Sequence, residues 1–231
     1  MRSLKINFLV NVRVLICTLL VIVGGSAYAQ LQVQEIGGFV DTDQAQEWMS
    51  NYEFENPNTV FGHLYGSNTI REILSQDGAK GLKVFIGMDE SGVEKMVYYA
   101  ANANGEQFGR AFDVSRPCPP LCGDDDRSEP SDMDVATIGE AIDTEVADQW
   151  IADFNATHPY KLQSALFGQK IISEMLNPDE VKGLFFAQAL DAKGQPQLLV
   201  VSADQHGVLL MNQPIAGQAR LVVGPVISAS K

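Results

Sequence analysis

One phrase is written twice in this chain, and no other feature restricts its fold as much. KGLKVFIGMDESG at 80–92 and KGLFFAQALDAKG at 182–194 place Lys, Gly, Leu, Asp and Gly at matching positions, 102 residues apart. The same offset aligns residues 36–105 with 138–207 without a gap and uses both tryptophans, Trp48 and Trp150. Asp41/Asp143, Pro57/Pro159, Leu64/Leu166, Gly66/Gly168, Glu72/Glu174 and Gly92/Gly194 are among the other identities. Average composition would give about 4 matches over such a window, far fewer than are found. Self-similarity at this length predicts two tandem copies of one module, not a solenoid of short units.

A local reading that holds in both copies is worth more than one drawn from either. Ala45, Trp48, Met49 and Tyr52 form a stripe at helical spacing, as do Ala147, Trp150, Ile151 and Phe154. Trp48 and Trp150 are therefore expected in the repeat cores. Asp41 and Asp143 stand where an N-cap is wanted, and Asn56-Pro57 and His158-Pro159 end the helices. Alternation around Leu64 and Leu166 predicts a strand with one exposed face. Gly66 and Gly168 are expected to turn the chain into a second helix. Two further strands are joined by a turn running from Asp89 to Gly92, and from Asp191 to Gly194. Another strand is expected after Gly105 and Gly207, as in GVLLMN. Each copy thus reads α-β-α-β-β(-β): an α+β module with an antiparallel sheet, helices on one face, and the capacity to fold alone.

The ends read differently. Arg2, Lys5 and Arg13 precede an apolar run from Val14 to Val23, and Ala27-Tyr28-Ala29 has the small-x-small pattern of a cleavage site. Residues 1–29 are expected to be a signal peptide cut between Ala29 and Gln30, giving a periplasmic or secreted protein. The run is too short for a membrane span of roughly 20 apolar residues. Repeats at 30–112 and 136–212, a Pro/Asp-rich linker at 113–135 and a tail at 213–231 complete the expected layout. RLVVGPVI within the tail is read as a final strand or an ordered arm.

Cleavage removes three basic residues and takes the formal charge from −13 to −16. So acidic a surface repels phosphate backbones and anionic lipid, which excludes nucleic acid as a partner. Export leaves Cys118 and Cys122, spaced C-x3-C, and an oxidising compartment predicts a disulfide between them. No metal or cofactor ligand set is recognised, and no familiar catalytic motif is present. The three histidines do not correspond: His63 meets Ala165, His158 meets Asn56, and His206 meets Asn104. The acidic stretch 124–134 lacks the spacing of a calcium loop and reads as solvated linker.

What differs between copies is read as surface: His63 against Ala165, Phe61 against Gln163, Tyr99 against Val201. A non-catalytic tandem module for binding or interaction follows, with a protein or an envelope polymer as partner. The alternatives are an envelope hydrolase with its site between the copies and a structural part of an envelope assembly. A pocket with converging polar groups and a shifted carboxylate would favour the enzyme.

Overall fold

The first long helix, α1 (Thr42–Glu55), starts at Asp41, whose carboxylate accepts from the Gln44 amide at 3.1 Å. Asp143 does the same for α3 (Thr144–Thr157), accepting from Glu145 and Val146. Both helices stop one residue before a proline, at Asn56 and His158. The computed structural model describes residues 32–118 and 134–224. Within them the fold is mixed α+β, with four α-helices and two antiparallel six-stranded sheets.

The strands, in chain order, are β1 (Gly38–Val40), β2 (Gly62–Gly66), β3 (Gly81–Met88), β4 (Glu94–Ala101), β5 (Gln107–Asp113) and β6 (Arg116–Cys118). The second series is β7 (Glu140–Ile142), β8 (Leu162–Gly168), β9 (Gly183–Leu190), β10 (Pro196–Ala203), β11 (Ile215–Gly217) and β12 (Arg220–Val223). Short helices α2 (Ser67–Leu74) and α4 (Gln169–Met175) follow β2 and β8.

The order of strands in the sheets does not follow the two expected halves. The first sheet runs β1-β11-β10-β9-β2-β6 and the second β12-β8-β3-β4-β5-β7. Each sheet is built from a three-strand run of one half and three strands of the other. β2 pairs with β9, with His63 opposite Phe186, and β8 pairs with β3, with Ala165 opposite Val84. Self-contained tandem modules are therefore not what the pairing shows. A half on its own would lack the strand that satisfies β3 or β9. The exchange has a steric basis, because Gly66 donates its amide to Ile138 and Gly168 to Ile36. A Cβ on Gly66 would meet the Ala136 carbonyl oxygen at 2.3 Å, and one on Gly168 that of Gln34 at 2.4 Å. These glycines do lead into α2 and α4 as N-caps, but at φ of −71° and −70° what requires glycine there is the close backbone approach between halves.

The sheets face each other. Tyr98 on β4 meets Phe186 on β9 at 4.9 Å between ring centroids, and Phe167 on β8 meets Phe186 at 6.3 Å. All three rings are fully buried, each worth roughly 2–3 kcal/mol of apolar transfer. The outer faces are covered by helices, α1 on β9 and α3 on β3. Trp48 and Trp150 are half-buried, packed against the clusters beneath α1 and α3.

Sandwiching between a sheet and a helix explains why β2 is buried at all five residues instead of alternating. His63, Tyr99, Ala165 and Val201 are all buried. The expectation that these differing positions form exposed contact faces is thus overturned. Two further boundaries move. β6 lies inside the expected linker, and β11 and β12 inside the expected tail, in matching places: Leu64 opposes Arg116, and Leu166 opposes Arg220. GVLLMN makes only an isolated bridge, Leu209 to Ala203.

Candidate functional site

Sheet register gives each half an internal control. Val40 opposes Ile215 and Ile142 opposes Ala111, so positions after the hairpins correspond at an offset of 104. Val114 and Gln218, which correspond at that offset, both adopt positive φ, 64° and 54°. Equivalent positions between the two sheets can then be compared side by side.

At one end they carry a buried polar chain. The Tyr65 hydroxyl lies 2.6 Å from the Met96 carbonyl and 2.9 Å from Asp113 Oδ1, and its single proton serves these two acceptors. Ser115 Oγ donates to the same carboxylate oxygen at 3.1 Å. His63 Nδ1 lies 2.7 Å from Ser115 Oγ. With the serine proton committed to Asp113, His63 must donate through Nδ1–H. Its buried Nε2 is left with no hydrogen-bond partner among the described residues. Burial, with Lys95 adding, pushes this imidazole down to about 3 from an ordinary 6.5, so it is neutral. Burial and the Asp113 charge push the Tyr65 hydroxyl well up. At the equivalent end stand Ala165, Phe167, Gly217 and Ala219. The fold closes that end without a polar side chain at these four positions.

The chain Tyr65–Asp113–Ser115–His63 is not a nucleophilic relay. Such a relay needs the imidazole between serine and carboxylate, accepting the serine proton. Here the serine sits between them and donates to the carboxylate.

Beside this region lies a groove of about 660 Å³. The end of α1 supplies Asn51, Tyr52, Phe54, Glu55 and Asn56, while Tyr160 and Lys161 come from the approach to β8 and Gln188 from β9. Phe54 is 83% exposed and Tyr160 54%. Gln188 donates through Nε2 to Glu94. Burial raises the Glu94 carboxyl, while the Gln188 hydrogen bond and the Lys161 charge oppose the rise. The equivalents of Gln188 and Glu94 are Ile86 and Pro196, so this pair too belongs to one end only. Asp191, also in the groove, is held below the ordinary carboxylate range, chiefly by the Gln195 amide and also by Lys193 and Gln197. It is occupied as a turn former. A smaller groove of about 380 Å³ separates α2 from α4, where Arg71 is committed to the Leu176 carbonyl.

Other residues singled out from the sequence are dispersed. Cys118 is buried on β6 opposite Gly62, while Cys122, and so the expected pairing, lies outside the described residues. Ala29 and Gln30 also lie outside them. No cluster of His, Cys, Asp or Glu among the described residues could hold a metal ion, and no described helix is long and apolar enough to cross a membrane. Asn102 and Asp204 turn their side-chain oxygens onto their own hairpin amides. Sequence reasoning did not pick out Tyr65, Asp113, Ser115, Glu94 or Gln188. The usable signal was polar identity at positions whose counterparts are apolar, which requires knowing that both are buried.

No protein-family model, curated protein or solved structure significantly matches the chain.

Proposed function

We propose that this chain is an exported, internally repeated binding protein whose ligand sits in the groove between the end of α1, the approach to β8 and the β9–β10 hairpin. Export by a cleaved signal at 1–29, the Cys118–Cys122 disulfide and descent from a duplicated unit at 36–105 and 138–207 belong to the same proposal. One observation carries it. The groove joins two bare aromatic rings, Phe54 and Tyr160, to Gln188, whose amide is held by Glu94, and the equivalent end replaces that pair with Ile86 and Pro196. Exposed rings beside polar groups are what a binding seat needs, and the fold does not require them there.

The hydrolase reading draws on Glu94, since a carboxyl raised by burial beside a cleft suits a general acid. A second carboxylate in place beside it is what it lacks, because Asp191 is spent on the hairpin and Glu55 is exposed at the end of α1 with no hydrogen bond to Glu94 or Gln188. Binding therefore takes precedence. A benzophenone cross-linker placed at position 54 of the mature protein should capture the ligand from the exported fraction. The same group at Ala156, the equivalent position, should not. Equal capture at both positions, or none at 54, would refute the groove as the seat.

A further inference from the structure

Strand exchange in this fold is reciprocal. β9, β10 and β11 of the second half lie between β1 and β2 of the first, and β3, β4 and β5 of the first lie between β7 and β8 of the second. Each half clasps the other's three-strand run. Gly66 opposes Gly183 and Gly168 opposes Gly81, so the two seams share one register. Backbone groups alone would let either half clasp a second copy of itself. Only side chains can tell the partners apart.

Two contacts between the halves do so. Gln188, buried on β9, donates through Nε2 to Glu94 on β4, and the Lys161 charge acts on the same carboxylate. The counterparts of Gln188, Lys161 and Glu94 are Ile86, Thr59 and Pro196. In a pair of first halves Glu94 would face Ile86, with Thr59 in place of the Lys161 charge. In a pair of second halves Gln188 would face Pro196, which has no side-chain acceptor. Either like pair strips a polar group of its partner at two places, and leaving such a group unmatched costs more than a matched one gains.

The other contact lies in the core. Tyr98 and Phe186 meet at 4.9 Å between ring centroids, while their counterparts are Val200 and Val84, and all four are fully buried. Two rings thus fill one place and none the equivalent place. A like pair would put one ring in each, underfilling the first and overfilling the second.

We propose that the two halves are matched as unlike partners: their interface selects the other half over a second copy of the same half, chiefly through Gln188–Glu94, and holds the pair together without a covalent link. Only the mixed pair brings Phe54 and Tyr160 into one groove, so this selection also keeps the groove complete.

A protease site placed within residues 124–130 of the mature protein, and cut after folding, tests it. Native mass spectrometry should find one species, containing one first and one second half. After unfolding in urea and dilution the mixed pair should return, with each like pair at least about ten-fold scarcer. Separation on cutting, failure of the cut chains to re-form, or like pairs as abundant as the mixed one overturns the proposal. Gln188→Ile with Glu94→Pro copies the counterparts and should raise the share of like pairs about ten-fold. An unchanged share overturns Gln188–Glu94 as the selecting contact. If that variant does not re-form when cut, urea unfolding of the uncut chain decides: the double change should cost less than the sum of the single ones, and additive costs overturn the assignment.

Discussion

The two ends of this sandwich occupy equivalent places in one strand arrangement, yet one holds His63, Tyr65, Asp113 and Ser115 and the other Ala165, Phe167, Gly217 and Ala219. The apolar end shows what the architecture needs. The polar end shows what it tolerates when nearly every donor and acceptor is matched. A matched buried network is close to neutral for stability, while a broken one is costly. Such a network is therefore better explained by a demand other than folding. The same contrast extends to Gln188 and Glu94 against Ile86 and Pro196, beside the groove.

The largest expected effect comes from separating the halves. Residues 30–125 and 126–231 expressed apart should give no folded monomer, because β3 and β9 each need a strand from the other half. Size-exclusion chromatography with circular dichroism should show unfolded chains or exchanged dimers. Dimers of the second half would carry two apolar ends. A folded monomer of either half would break the comparison outright.

Next in size is transplantation. Ala165→His inserts a large polar ring where no acceptor chain exists, and should cost about 3 kcal/mol or more in urea unfolding. If it costs nothing, the apolar end is not closely packed.

Tyr65→Phe copies the equivalent residue and removes the proton shared by Met96 and Asp113, at a cost of about 1–3 kcal/mol. Replacing His63, Tyr65, Asp113 and Ser115 together by their counterparts should cost less than the sum of the single changes. Additive costs would show that the four residues do not act as one network.

Acidity gives a smaller signal with a definite sign. The unfolded chain protonates His63 near 6.5, and the folded chain not until about 3. The unfolded state therefore binds more protons across that window, and stability falls as pH drops through it. Between pH 6.5 and 5.5, above the carboxylate range, the loss due to His63 should be about 1 kcal/mol. His63→Ala should remove it, and an unchanged slope would mean the imidazole is not buried neutral.

Smallest is a change that should not distinguish the halves. Gly92 and Gly194 have φ of 78° and 72°, with open space where a Cβ would stand. Replacing either by Ala should cost about 1 kcal/mol or less, equally in both hairpins.

Much of the local structure was legible because it rests on chemistry near in sequence. Asp41 and Asp143 cap helices with their own next turn, Pro57 and Pro159 follow the helix ends, and Asp89 and Asp191 accept amides two and four residues ahead. The α+β class followed from those pieces and from the periodicity of the stripes. Strand partners did not follow, since every strand edge offers the same backbone groups and nothing in GHLYG names β9 over β3. That choice falls to the path taken by residues 67–80 and 169–182 and to the glycines that let the halves close on each other. Burial of His63 was hidden for the same reason. Alternation places a residue on one face of a strand, but only the arrival of a second sheet decides whether that face meets water.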